Sequence, residues 1–159
     1  MKVVIMYGTK YGFTEKCSFL LAEKIKCPVG VFNLTKKETP ELSEAEILVV
    51  GSSVYAGKIN KEVREFLNKN LDIISTKKVA LFTCNMNQGE GAEKQLQTVF
   101  PQAIYDHAKA VFSLGGKFDF SKLNFLEKTI IKKISKVSKD VEDLKMENID
   151  KLAGRINHL

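Results

Sequence analysis

The segment Val3-Val4-Ile5-Met6-Tyr7-Gly8-Thr9-Lys10-Tyr11-Gly12-Phe13-Thr14 decides how this chain is read. Residues 2–7 form an apolar run of strand length, and a glycine-punctuated loop follows. Residues 13–26 then place Cys17, Leu20, Leu21 and Ile25 on one helical face. The loop has no Gly-Lys-Ser/Thr at Walker A spacing and no dinucleotide Gly-x-Gly-x-x-Gly. What remains is the hydroxyls of Thr9 and Thr14 around Gly12 at a helix N-terminus. Unpaired N–H groups and the helix dipole favour an anion there. Such a loop can hold a terminal phosphate. The plainer alternative is that Thr14 caps the helix and Gly12 turns the chain.

Outward from this segment, residues 28–34 read as a second short strand, and 39–44 as a turn or stunted helix. Ile47-Leu48-Val49-Val50-Gly51 is apolar without alternation, the pattern of a parallel strand covered on both faces. Residues 60–69 are helical, with Val63, Phe66 and Leu67 inward. Residues 79–83 and 110–114 are strands, and 92–99 and 149–156 are helices. Strand and helix alternate over residues 1–159. The expected fold is one α/β domain, a three-layer doubly wound five-stranded parallel sheet in the order 2-1-3-4-5. In that order a ligand lies outside the carboxyl ends of the first and third strands.

The loops at those ends supply the candidate site. Ser52, Ser53, Val54, Tyr55, Ala56 and Gly57 follow the third strand; small residues let backbone approach a ligand, and Tyr55 offers a flat face for a planar ring. Tyr55 could equally cover the sheet edge. Asn85, Met86, Asn87, Gln88 and Gly89 follow the fourth strand and suit hydrogen bonding to a heterocycle's rim. Cys84 beside them reads as a buried thiol. After the fifth strand, Phe118 and Phe120 are as consistent with core as with a pocket border.

These loops resemble those of the flavodoxins. Tyr7–Glu15 is similar to their FMN-phosphate loop, and Val49–Gly57 to their second flavin loop. The likeness is nearest to the branch that includes flavodoxin-type, quinone-dependent protoporphyrinogen oxidases, where an aromatic-basic stretch and an added helix follow the last strand, as in 115–139 here. The resemblance implies non-covalently bound FMN. Thr9, Lys10, Tyr11, Gly12, Phe13 and Thr14 would surround its phosphate, and Ser52–Gly57 with Asn85–Gly89 would frame its ring. It implies electron transfer to a redox partner protein, a quinone or another small molecule. No side chain would act as nucleophile, and no metal is called for.

Composition fits this reading. The chain has 159 residues and is 44% hydrophobic, enough for one sizeable core. Cys17, Cys27 and Cys84 match no metal-ligand spacing and read as small buried hydrophobes of a reducing compartment. With no apolar run near 20 residues and no signal-peptide pattern at the N-terminus, the expectation is cytoplasmic. Residues 120–139 hold six lysines against Glu127 alone, so this stretch carries +5 of the net +6. With the excess confined to one segment, and no aromatic interleaving on the sheet, a nucleic-acid module is disfavoured. A receiver-type signalling domain shares the strand order, but Gly51-Ser52 stands where its phosphoacceptor aspartate would be.

On a helical wheel, Phe120, Leu123, Leu126, Ile130, Ile131, Ile134 and Val137 fall within an arc of about 140°, with the lysines opposite. Glu127 intrudes on the apolar side. The expectation is one amphipathic helix over 120–139. It would pack on its own domain, touch the inner membrane surface peripherally, or dock an acidic protein.

Overall fold

A computed structural model describes residues 1–86, 90–135 and 139–159, with side chains at all of these except Ile134 and Ser135. Four strands grow from apolar runs: β1 (Val3–Gly8), the edge strand β2 (Val29–Asn33), β3 (Ile47–Tyr55) and, after the two-residue β4 (Lys58–Ile59), β5 (Lys78–Cys84). With β6 (Ala110–Ser113) they form a sheet in the order β2-β1-β3-β5-β6, and every neighbouring pair on this path is parallel. This is the order expected from the sequence.

Alternate side chains of the central strands serve two separate cores. Val3, Ile5, Ile47, Val49, Ala80 and Phe82 face α1 (Phe13–Ala22) and α7 (Met146–Asn157). Val4, Met6, Leu48, Val50, Val79 and Leu81 face α2 (Lys61–Lys69), α3 (Leu71–Ser75) and, after α4 (Glu90–Val99), α5 (Gln102–His107). Each fully buried Val, Leu or Ile contributes about 1.5–3 kcal/mol of burial free energy, so both faces must be covered. Crossovers on opposite faces separate the loops after β1 and β3 and leave a crevice between them.

Three sequence expectations need correction. The third strand does not end at Gly51 but runs to Tyr55, so Ser52, Ser53, Val54 and Tyr55 are strand residues. Ala56 (φ 49°) and Gly57 (φ 72°) form a tight hairpin turn that pairs Tyr55 with Lys58; both central residues at positive φ match the twist of the flanking strands. The first helix stops at Ala22 instead of reaching residue 26.

The third correction concerns 120–139, which is not one helix. Gly115–Phe118 is a strand, β7, that pairs antiparallel with β8 (Val141–Leu144). Asp119 then turns the chain by accepting from the Ser121 N–H at 3.1 Å. Helix α6 spans Phe125–Ser135. Its start is set by a reciprocal cap: Asn124 Oδ1 accepts from the Glu127 N–H (2.8 Å), and Glu127 Oε2 accepts from the Asn124 N–H (3.1 Å). The wheel's phase holds only in part. Leu123, Ile131 and Glu127 are buried on its apolar side and Phe125, on the lysine side, is 86% exposed, but Leu126 and Ile130 are 67% and 40% exposed where burial was expected. The Ile134 side chain and residues 136–138, with Lys136 and Val137, lie outside what is described. Among the described residues no helix is long and apolar enough to cross a membrane.

The β7–β8 hairpin depends on Gly115. Its φ is +92°, and a Cβ there would lie 1.7 Å from the backbone oxygen of Asp143. Gly115→Ala should cost about 2–3 kcal/mol, read as a lower urea midpoint at unchanged slope.

Candidate functional site

The crevice at the carboxyl ends of β1 and β3 is a two-lobed cleft. The inner lobe, about 90 Å³, is lined by Thr9, Lys10, Tyr11, Phe13 and Thr14 from the first loop. Ser53, Val54 and Tyr55 come from β3, and Cys84, Asn85 and Met86 from the end of β5. The outer lobe, about 420 Å³, shares Val54, Tyr55, Asn85 and Met86 and adds Ala56 and Gly57. The outer volume is within the range of small-molecule pockets, roughly 300–1,000 Å³.

At the inner end, Gly12 (φ +92°) is the N-cap of α1 and gives that helix no side-chain cap. The Thr9 hydroxyl accepts from the Gly12 N–H at 2.9 Å and holds the loop closed on itself. Thr14 is fully buried, and among the described residues its hydroxyl has no hydrogen-bond partner. A buried hydroxyl without a partner costs about 1–3 kcal/mol, and this one lies at a helix N-terminus against the cleft. An anionic oxygen would satisfy it.

Two residues singled out from sequence have other places. Ser52 is buried behind the cleft. Its Oγ donates to Asn60 Oδ1 (2.8 Å) and accepts from the Asn60 N–H (2.9 Å), tying β3 to the start of α2. Gly12 turns the backbone and does not line either lobe. Asn87, Gln88 and Gly89 lie outside the described residues.

Further lining comes from the segment after β6, where the sequence left Phe118 open as a pocket border and Leu123 and Ile131 were missed. Gly116, Lys117, Phe118, Leu123 and Ile131 line the inner lobe, and Phe118, Ile130 and Ile131 the outer one. Gly116 is in place because a Cβ there would meet the Asn85 carbonyl carbon at 2.5 Å, so only a bare backbone lets β7 lie against the loop after β5. Charged contacts fasten this segment to the first loop. Lys16 pairs with Glu142, and Lys117 lies 3.7 Å from the same carboxylate. Lys122 Nζ donates to the Tyr11 carbonyl at 3.3 Å. Glu127 accepts from both Lys10 Nζ and the Tyr11 hydroxyl. Lys10 Nζ also lies 4.1 Å from the Tyr55 ring centroid, a cation–π contact across the cleft. The one available sequence signal was Asn124-x-x-Glu127, a capping pair that fixes where α6 begins.

Electrostatics follow from these contacts. Burial alone would raise the Glu127 carboxyl, but bonds from Lys10 and Tyr11 outweigh it and hold the group below the usual glutamate range. Burial would lower Lys10, and the Glu127 bond reverses that. Tyr11 is raised by burial and by donating to Glu127. Cys84 is pushed well up, first by burial and then by neighbouring Cys17, so its thiol stays protonated.

This chain belongs to the flavodoxin family: the model of the flavodoxin domain matches residues 4–145. It is 24% identical over 101 residues to the quinone-type protoporphyrinogen IX dehydrogenase of Escherichia coli K12, a match covering 62% of this chain. The chain thus spans just over half, 56%, of that relative's length. A flavodoxin from the domain Archaea superimposes with a TM-score of 0.60 at 16% identity, covering 99% of this chain and 97% of its own. Flavodoxin 1 from Bacillus cereus gives 0.58 at 11% identity, covering 100% and 99%. At these identities the structural likeness concerns the fold.

A depressed Glu127 stabilises the fold above the ordinary glutamate range, and that stabilisation is lost as pH falls through its lowered folded value. Lys10→Met should therefore lower the thermal midpoint at pH 7, and the gap to wild type should narrow as the pH falls toward 3. Thermal melts across that range check it.

Proposed function

We propose that this chain binds FMN non-covalently in the two-lobed cleft and transfers electrons through it. The observation that carries the reading is the buried, unpartnered Thr14 hydroxyl at an uncapped helix N-terminus, within a flavodoxin-domain chain. That arrangement fits a phosphate, because hydroxyls and helix N–H groups neutralise an anion without a metal. Thr9, Lys10, Tyr11, Gly12, Phe13 and Thr14 would hold the phosphate end. Ser53, Val54, Tyr55, Ala56 and Gly57, with Asn85 and Met86, would frame the ring in the outer lobe; Ser52 acts from behind by fixing the strand. Asn87, Gln88 and Gly89 belong to the same proposal.

The flavin supplies the one- or two-electron chemistry, and the protein supplies orientation and access. Here the apolar walls of Val54, Met86, Phe118 and Ile131 exclude water, and Tyr55 sets the plane of a stacked ring. The partner class is a redox protein, a quinone or another small molecule.

A second reading is oxidation of a flat substrate by quinone, of the protoporphyrinogen type. It is favoured by one observation: Phe125, Leu126 and Ile130 are exposed beside Lys128, Lys132 and Lys133, and Ile130 lines the outer lobe. An apolar ridge flanked by lysines suits peripheral contact with anionic lipid, where quinones reside.

Titration with FMN, followed by quenching of its fluorescence and by the visible spectrum, tests the first reading. Wild type should bind one equivalent, and a protein that takes up no FMN refutes it. Thr14→Val should leave the ligand-free protein as stable or slightly more so, since it removes an unsatisfied hydroxyl. It should weaken FMN about tenfold, the loss of one hydrogen bond to a charged group. For the second reading, FMN-loaded protein should oxidise protoporphyrinogen in the presence of a quinone, and absence of turnover excludes it.

A further inference from the structure

Glu127 presents a problem that the proposed function does not absorb. A helix-capping glutamate ordinarily points at solvent and needs only its own helix. This one is buried, and its carboxylate reaches out of α6 to the first loop, more than 110 residues away in sequence. There it takes the ammonium of Lys10 and the hydroxyl of Tyr11, the two long donors of the loop assigned to the phosphate. Leu123 and Ile131, on either side of it along the chain, line the inner lobe and leave it about 90 Å³.

From this geometry, and resting on the reading of the first loop as a phosphate site, we infer that Glu127 is an internal anion that competes with the ligand's phosphate for Lys10 and Tyr11, so that α6 and the phosphate exclude one another from these donors. The physical reason is charge. Two anions sharing one lysine repel, and the carboxylate is tethered at high effective concentration. A phosphate seated against Thr9 and Thr14 must share the Lys10 ammonium with Glu127, and it gains the single proton of the Tyr11 hydroxyl only when Glu127 gives it up. Three further fastenings of this segment are Lys16–Glu142, Lys117–Glu142 and the Lys122 bond to the Tyr11 carbonyl. None involves Glu127; the first and third hold the segment to α1 and the first loop and the second ties β7 to β8, so the segment stays attached while α6 swings.

The consequence is a penalty that falls on the phosphorylated flavin alone. A flavin without a phosphate makes no claim on Lys10 and Tyr11 and is indifferent to the carboxylate, whereas FMN must displace it to gain them. Substituting Glu127→Gln keeps the cap, because glutamine serves in the same capping pair, and removes the competing charge.

The experiment is titration of wild type and E127Q with FMN and with riboflavin, with association rates by stopped flow. E127Q should bind FMN several-fold to tenfold more tightly and faster, and riboflavin should be unaffected. FMN affinity equal to or below that of wild type overturns the inference, as does an equal gain with riboflavin, which would report a merely loosened cleft. A wild type that binds no FMN refutes the proposed function instead, so the two failures are distinct. Hydrogen exchange on the wild-type protein provides a measurement free of any folding defect in the variant. Amides of α6 should exchange faster on addition of FMN, and slower or unchanged exchange overturns the inference.

Discussion

Burial of the central strands on both faces is the constraint from which the rest of the molecule follows. Val3, Val4, Ile5 and Met6 are all inaccessible, and so are Ile47, Leu48, Val49 and Val50. No residue of these runs can face water, so helices must cover each side. Chain connectivity then forces crossovers on opposite faces of the sheet. The crevice between the loops after β1 and β3 is the unavoidable by-product. Phe82 shows how tight the centre is: a Cβ on Gly51 would meet its ring at 2.0 Å, so the strand that leads to the site passes over an aromatic only because glycine stands there.

What the crevice can do is decided by a different kind of interaction. The first loop offers an uncapped helix end and an unsatisfied hydroxyl, which together call for an anion. The segment after β6 answers with a carboxylate of its own. Structural and ligand-directed roles meet in Glu127, which caps a helix and neutralises a lysine of the candidate phosphate site. Such a pair is worth little if solvent-exposed and more in a partly buried lobe. Its interest here is its position between α6 and the loop.

The strand pattern and the first loop were legible because both are local. Continuous apolar runs mark two-sided strands, and hydroxyls around a glycine mark a helix N-terminus, whatever lies elsewhere. Ser52 stands behind the cleft because its side chain turns away to Asn60, a contact eight residues on that the loop composition does not reveal. Leu123 and Ile131 were missed as cleft residues, and Phe118 was left undecided, because the pairing of β7 with β8 brings this segment there, and β8 lies more than twenty residues from its partner. The wheel for 120–139 failed because it assumed one uninterrupted helix, when Asp119 and Asn124 break and restart the chain.

The sequence by itself determined a doubly wound sheet and a glycine-turned loop opening into a helix N-terminus at its switch point, since hydrophobic period and turn chemistry are properties of short windows. Only the tertiary structure decided which side of α6 faces the site. Apolar residues favour burial without direction, so Phe125, Leu126 and Ile130 were free to remain outside. A carboxylate within reach of Lys10 and Tyr11 is directional, and it turned the helix to suit the charge.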